Sequence, residues 1–206
     1  RTFVPFPKKY PALLDICPLF FYNECTFIHK EVAAIARGNE EAREARREQI
    51  RREALRQFAV QGLLATRIQD IAAGVGMAQG LFYRYYPSKD AIFTDLIDDA
   101  LDKIIEAATA VRGMPLSARD KVLVALRELL RTIRTSERFR QTCRLIAQAR
   151  NSTAIPEAAQ ALLEEKGDVP YEIIAEVMAA GQREGSVVAG DPRQLSALFW
   201  AGVNGL

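Results

Sequence analysis

Residues 66–90 read TRIQDIAAGVGMAQGLFYRYYPSKD, and the organisation of the rest of the chain follows from them. Thr66-Arg67-Ile68-Gln69 sets a hydroxyl three positions before a glutamine, the spacing of a capping box. Ile68, Ile71 and Ala72 then fall at i, i+3 and i+4, which makes one face of a short helix apolar. Gly74-Val75-Gly76 turns the chain, because glycine readily adopts left-handed backbone conformations. A second short helix is predicted from about Ala78 to Tyr85, with Phe82 and Tyr86 four apart on its inner face. Pro87 stops it, since the residue before a proline is pushed out of helical geometry. Ser88 caps a third helix whose first turn carries Asp90, which suits the positive end of the helix dipole. Two short helices joined by a tight glycine turn make a helix-turn-helix.

The outward face of the second helix is left with Gln79, Gly80, Leu81, Tyr83, Arg84 and Tyr85. An amide suits adenine, a guanidinium suits guanine or phosphate, phenols suit phosphate oxygens, and a glycine permits close approach. The bland alternative is a surface turn of an enzyme in which the aromatics merely plug a core. A polar, aromatic and basic outer face on a helix-turn-helix favours DNA instead.

Ile71-Ala72, Gly76, Gly80, Tyr83, Tyr86 and Lys89 stand at the spacing of the tetracycline-repressor (TetR) family of bacterial regulators, which this stretch resembles. The family pattern runs Ile-Ala, a small turn residue, Gly, then Leu-Tyr-x-His-Phe-x-x-Lys. Here Tyr85 replaces the usual His, Tyr86 the usual Phe, and Arg67 a common hydroxyl residue. The resemblance implies an all-α chain with a three-helix DNA-binding head and a helical ligand-binding and dimerisation body. Helix geometry and the resemblance together place Gln79, Gly80, Leu81, Tyr83, Arg84 and Tyr85 toward DNA, with Thr66, Arg67 and Lys89 on phosphates.

Charge agrees with that division. Residues 43–89 carry nine Arg and Lys against four acids, a net +5, whereas from Asp95 onward 14 basic residues face 16 acidic ones, a net −2. A basic head on a mildly acidic body suits a protein whose head alone meets DNA. The arginines before residue 66 could touch the DNA backbone or pair with Glu44, Glu48 and Glu53 on their own helix. A hydrophobic share of 49% with mean hydropathy −0.06 fits a soluble globular chain, and no apolar run approaches a membrane span. Three cysteines make no disulfide framework, so a reduced, cytoplasmic setting is expected. Cys17, Cys25 and His29 match no common metal spacing, and neither metal nor cofactor is expected.

Three regions follow: 1–38 as an extension of unknown role, 39–93 as the head, and 94–206 as the body. The extension holds Pro5, Pro7, Pro11 and Pro18 among aromatics. Asp15, Pro18 and Glu24 interrupt its apolar run, so it does not read as a signal peptide. Asn23 would cap a short helix ended by Gly38, with Phe27, Ile28, Val32 and Ile35 on one face. The start at Arg1 and the stop at Leu206 in mid-pattern suggest that both ends are incomplete. Asn39 caps the next helix, whose inner stripe is Ile50, Ala54, Leu55 and Phe58 and whose stop is Gly62. In the body, helices are predicted over 89–111, from Ser117, over 137–150, from Pro156, from Asp168 and Pro170, and from Asp191 and Pro192. Asp98, Asp99 and Asp102 read as a solvated helix face.

No catalytic constellation emerges, because the single histidine lies in the extension and no phosphate-binding glycine loop or carboxylate pair stands out. The resemblance implies a cavity in the body, and Leu101, Ile105, Phe139, Cys143, Ile146, Tyr171, Ile174 and Met178 are its candidate lining, with Arg140 and Arg144 beside it. An apolar or aromatic small-molecule effector with an acidic group facing an arginine is expected. Ile173, Val177, Leu195, Leu198, Phe199 and Trp200 exceed what one body can bury, so a homodimer on double-stranded operator DNA is expected, with no membrane partner. The function so implied is a ligand-responsive transcriptional regulator, usually a repressor. The alternative is a helical interaction module or enzyme that keeps a helix-turn-helix for structural reasons.

Overall fold

Strong helix formers and the stripe Ile50, Ala54, Leu55 and Phe58 build the first helix, α1 (Arg37–Ala65). In the computed structural model, which describes residues 37–204 and the side chains of 40–201, all four of these side chains are buried. The helix is already under way at Arg37, so Gly38 and Asn39 lie within it and not at its boundary. One glycine costs a helix only about 1 kcal/mol, which the helix formers after it offset. The rest of the expected helix from Asn23, and Cys17, Cys25 and His29, lie outside the described residues.

Gly62 interrupts α1 with φ 77° and ψ 171°, a conformation glycine alone adopts freely, and one further turn reaches Ala65. That break leaves backbone carbonyls without helical partners. The Thr66 hydroxyl donates to the Gly62 carbonyl at 2.7 Å, and the Lys89 ammonium donates to the carbonyls of Leu63, Thr66 and Leu64 at 2.6, 3.0 and 3.4 Å. The expected capping box is therefore absent. Arg67, in extended conformation and without a side-chain cap bond, is the N-cap of α2 (Ile68–Gly74), and Thr66 is turned inward.

Gly76, at φ 65°, makes the turn into α3 (Gln79–Phe82). This helix is shorter than predicted. Arg84 N–H bonds Leu81 O at 3.2 Å and Tyr85 N–H bonds Phe82 O at 2.9 Å, tightening residues 83–85 into a turn. The tightening brings Tyr86 into the core beside Phe82, their ring centroids 6.1 Å apart. α4 (Lys89–Gly113) starts at Ser88, whose hydroxyl accepts from the Ala91 N–H at 3.0 Å.

The body adds α5 (Ala118–Thr135), α6 (Glu137–Arg150), α7 (Glu157–Lys166), α8 (Val169–Arg183) and α9 (Pro192–Asn204). Ser117 caps α5 and Ser136 caps α6 through their hydroxyls, and Asp191 accepts from the Arg193 N–H ahead of α9. Asp168 precedes α8 without making a cap bond, while Pro170 occupies its first turn. Each of these helices begins within two residues of its sequence expectation. The described residues contain no strand, and no described helix is long and apolar enough to cross a membrane.

One buried cluster runs from Ile50, Phe58, Ile71 and Phe82 in the head through Ile92, Phe93, Ile97 and Leu101 of α4 to Leu145, Ala149 and Ala159 of the body. It crosses residue 93, the expected end of the head. α1 packs against α6 as well as against the helix-turn-helix, a contact that periodicity within α1 does not reveal. Two smaller clusters sit further down the body, around Ile173, Ile174 and Met178 and around Leu129 and Phe139.

Candidate nucleic-acid interface and ligand cavity

Arg67, Gln79, Gly80, Leu81, Tyr83 and Arg84 share the exposed surface formed by α2, α3 and the turn after it. Tyr83 is 49% exposed although its ring contacts buried Phe82 edge-on at 5.9 Å, so the core holds the phenol's base while its hydroxyl stays free. Tyr85 is half-buried against the core. Thr66 and Lys89 depart from their expected duty. The Thr66 side chain is 1% exposed and bonded to Gly62, and the Lys89 ammonium is taken up by three backbone carbonyls.

The arginines of α1 meet the pairing expectation in part, with Arg51 on Glu48 and Arg56 on Glu53 of their own helix, and in part reach other helices. Arg43 pairs with Glu40, and Arg52 with Glu48, on their own helix. Arg47 donates to the Tyr86 hydroxyl at 3.0 Å, and that hydroxyl donates to Asp95 at 2.6 Å. Arg51 bridges Asp95 and Asp99 of α4, each at 3.0 Å, and Arg138 of α6 bonds Glu48. Burial, and then the bond to the Asp95 carboxylate, push the Tyr86 hydroxyl up to about 12. Asp102 and Asp98 both hold Lys166 of α7 at 2.6 Å, and those two bonds raise its pKa. The acidic stretch of α4 is thus a brace to α1 and α7 rather than a merely solvated face. Sequence spacing missed it because the partners lie 44 to 68 residues away.

Between α4, α5, α6, α8 and α9 lies a cavity of about 320 Å³. Leu101, Phe139, Cys143, Ile146, Tyr171 and Ile174 line it, whereas Ile105 and Met178 pack in the adjacent cluster. Arg140 is engaged with Glu137 and with the Ile133 carbonyl, and neither it nor Arg144 reaches the cavity. The arginine that does is Arg150. Its guanidinium stands 5.7 Å from the centre of the Tyr171 ring and donates to the Gly167 carbonyl at 2.6 Å. Sequence reading also missed Phe199 and Trp200 as lining, having assigned them to the dimer face. Burial raises the Cys143 thiol to about 11, which keeps it protonated at neutral pH.

Residues 50–96 match the family described as bacterial regulatory proteins, tetR family. No curated protein matches the sequence. Among solved structures, AibR in complex with isovaleryl coenzyme A and operator DNA is 16% identical with a TM-score of 0.65, covering 77% of this chain and 84% of its own. A protein from Saccharomonospora viridis in complex with choline is 23% identical at TM-score 0.65, covering 79% and 83%. PfmR from Thermus thermophilus, a TetR family transcriptional regulator, is 17% identical at TM-score 0.64, covering 75% and 82%. The helix-turn-helix read from residues 66–90 lies inside the matched segment, and the helical body has the architecture of these structures. Residues 50–96 thus carry the DNA-binding segment of the tetR family, and the described chain has the fold of these solved structures.

Proposed function

We propose that the protein is a ligand-responsive, DNA-binding transcriptional regulator, and specifically a repressor that a small molecule releases from its operator. The observation that carries this reading is a single continuous core joining the exposed polar face around Gln79, Tyr83 and Arg84 to helices that enclose a cavity. Arg67, Gln79, Gly80, Leu81, Tyr83 and Arg84 form the DNA-contacting set, with Tyr85 at its edge. Thr66 and Lys89 shape the head from within. The cavity is the effector site, the assembly is a homodimer, the setting is cytoplasmic, and the protein is not an enzyme. A ligand releases DNA only by preferring the head arrangement that misfits the operator, because equal affinity for both states shifts nothing.

Fluorescence anisotropy on a duplex from the gene's own promoter region, titrated across salt concentrations, tests the reading. Neutralising phosphates releases counterions, so log K should fall steeply and linearly with log salt. A flat dependence, or no binding to promoter fragments, favours an interaction module that keeps the helix-turn-helix for structure.

A further inference from the structure

We infer that the cavity takes a monoanionic amphiphile, an organic acid whose apolar body lies among the aromatic side chains and whose carboxylate reaches Arg150. This rests on the cavity being the effector site. Its volume of about 320 Å³ is roughly twice the ~150 Å³ that accepts benzene, which sets the body at roughly a dozen heavy atoms. Aliphatic side chains and the rings of Phe139, Tyr171, Phe199 and Trp200 supply the apolar surface.

One group at the cavity lacks a partner that an anion would supply. Arg150, at the exposed mouth, is the only charged side chain lining the cavity among the described residues, and no described carboxylate pairs with it. Its guanidinium spends one nitrogen on the Gly167 carbonyl and faces the Tyr171 ring, which fixes its plane and leaves its other donors available. Gly167 makes this placement possible. A Cβ there would stand 2.9 Å from the Arg150 nitrogen and 2.2 Å from the Leu163 carbonyl oxygen.

A cation fits poorly. Aromatic rings attract ammonium groups, but the Tyr171 face is already met by Arg150, and no carboxylate lines the cavity to offset a second positive charge.

The test is isothermal titration of the full chain with three probes of matched body: 4-phenylbutyrate, 4-phenylbutanamide and 4-phenylbutyltrimethylammonium. The acid should bind at least ~10-fold more tightly than either of the others, as expected for a charge-assisted bond worth about 1.5–3 kcal/mol. Arg150→Gln should abolish the acid's advantage over the amide while leaving amide affinity within a few-fold. Equal affinity of amide or ammonium in the wild type, no binding by any probe, or an acid preference that survives Arg150→Gln overturns the inference. The wild-type comparison needs no variant, so a misfolded substitution cannot obscure it. Adding operator duplex separates the two readings. Acid binding without DNA release keeps the anion site and removes the effector role, whereas DNA release by a non-acid bound in the cavity does the reverse.

Discussion

Lys89 stands where a phosphate contact is expected, yet its ammonium meets three backbone carbonyls at the broken end of α1. An ammonium has three donors, so none is left over in the free protein. Lys89→Ala should therefore lower stability by about 1–3 kcal/mol as well as weakening DNA binding. Tyr83→Ala should weaken DNA binding with unfolding unchanged, since that side chain is half exposed and outside the core. Urea melts run beside anisotropy titrations separate the two, and an unchanged midpoint for Lys89→Ala would remove its structural role. The exposure of Tyr83 was legible from helical spacing, but the partners of Lys89 were not, because they lie 23 to 26 residues upstream. Cys143 gives a second check at this scale. With its pKa raised to about 11, it carries about two orders of magnitude less thiolate at pH 8 than an unperturbed cysteine. In a Cys17→Ser, Cys25→Ser background, iodoacetamide should alkylate it correspondingly slowly, and slower still with the cavity filled. Alkylation at the rate of a free thiol would mean that this wall of the cavity is open.

Among elements, the informative contact is α1 against α4 and α6. Apolar periodicity located every described helix of the body, and residues such as Ser88, Ser117 and Asp191 marked where helices start. Periodicity says which face is inward, however, and not which helix meets it. The joints at Arg47–Tyr86–Asp95, Arg51–Asp99 and Glu48–Arg138 are set by tertiary proximity alone. Glu48 and Arg138 are each about four-fifths buried, and removing Glu48 takes away the carboxylate that Arg138 pairs with, whereas Glu48 without Arg138 keeps Arg51 and Arg52. Arg138→Ala and Glu48→Gln should each cost about 1–3 kcal/mol. The double variant should cost clearly less than their sum, which a double-mutant cycle of urea midpoints measures. Additive losses would mean that the pair is incidental. Tyr86 adds a pH signature to the same joint. Its folded pKa lies above that of an unfolded tyrosine, so its proton is favoured by folding; the stability is present below pH 10 and is lost as pH rises toward 12. Tyr86→Phe should flatten the alkaline fall in the unfolding midpoint. An identical fall in the variant would place the sensitivity elsewhere.

For the whole molecule the question is what covers α9. Of the six apolar residues expected to exceed the body's capacity, Ile173 and Val177 are buried within the single chain, and Leu195, Phe199 and Trp200 are half-buried. The sequence overstated the surplus because it could not show the cavity and the α5–α6 wall against which Phe199 and Trp200 pack. What remains outward is narrower: Gln194, Ala197, Leu198 and Ala201, all exposed and spaced i, i+3, i+4 and i+7 along one helix face. Leu198 alone is 68% exposed. Small side chains beside a leucine let two helices approach closely, and a two-fold axis makes such a patch its own complement. A dimer built there would hold two heads for half-sites spaced by one helical turn, about 34–36 Å, or a multiple of it. Ala197→Glu with Leu198→Glu places two like charges on each side of that axis and leaves α1–α3 untouched. Light scattering at micromolar concentration should then report a monomer where the parent protein is a dimer. The variant should keep its salt-dependent binding to nonspecific duplex and lose its tight binding to a palindrome, because one head reads only one half-site. A parent protein already monomeric at that concentration, or a double variant that stays dimeric, moves the interface away from α9.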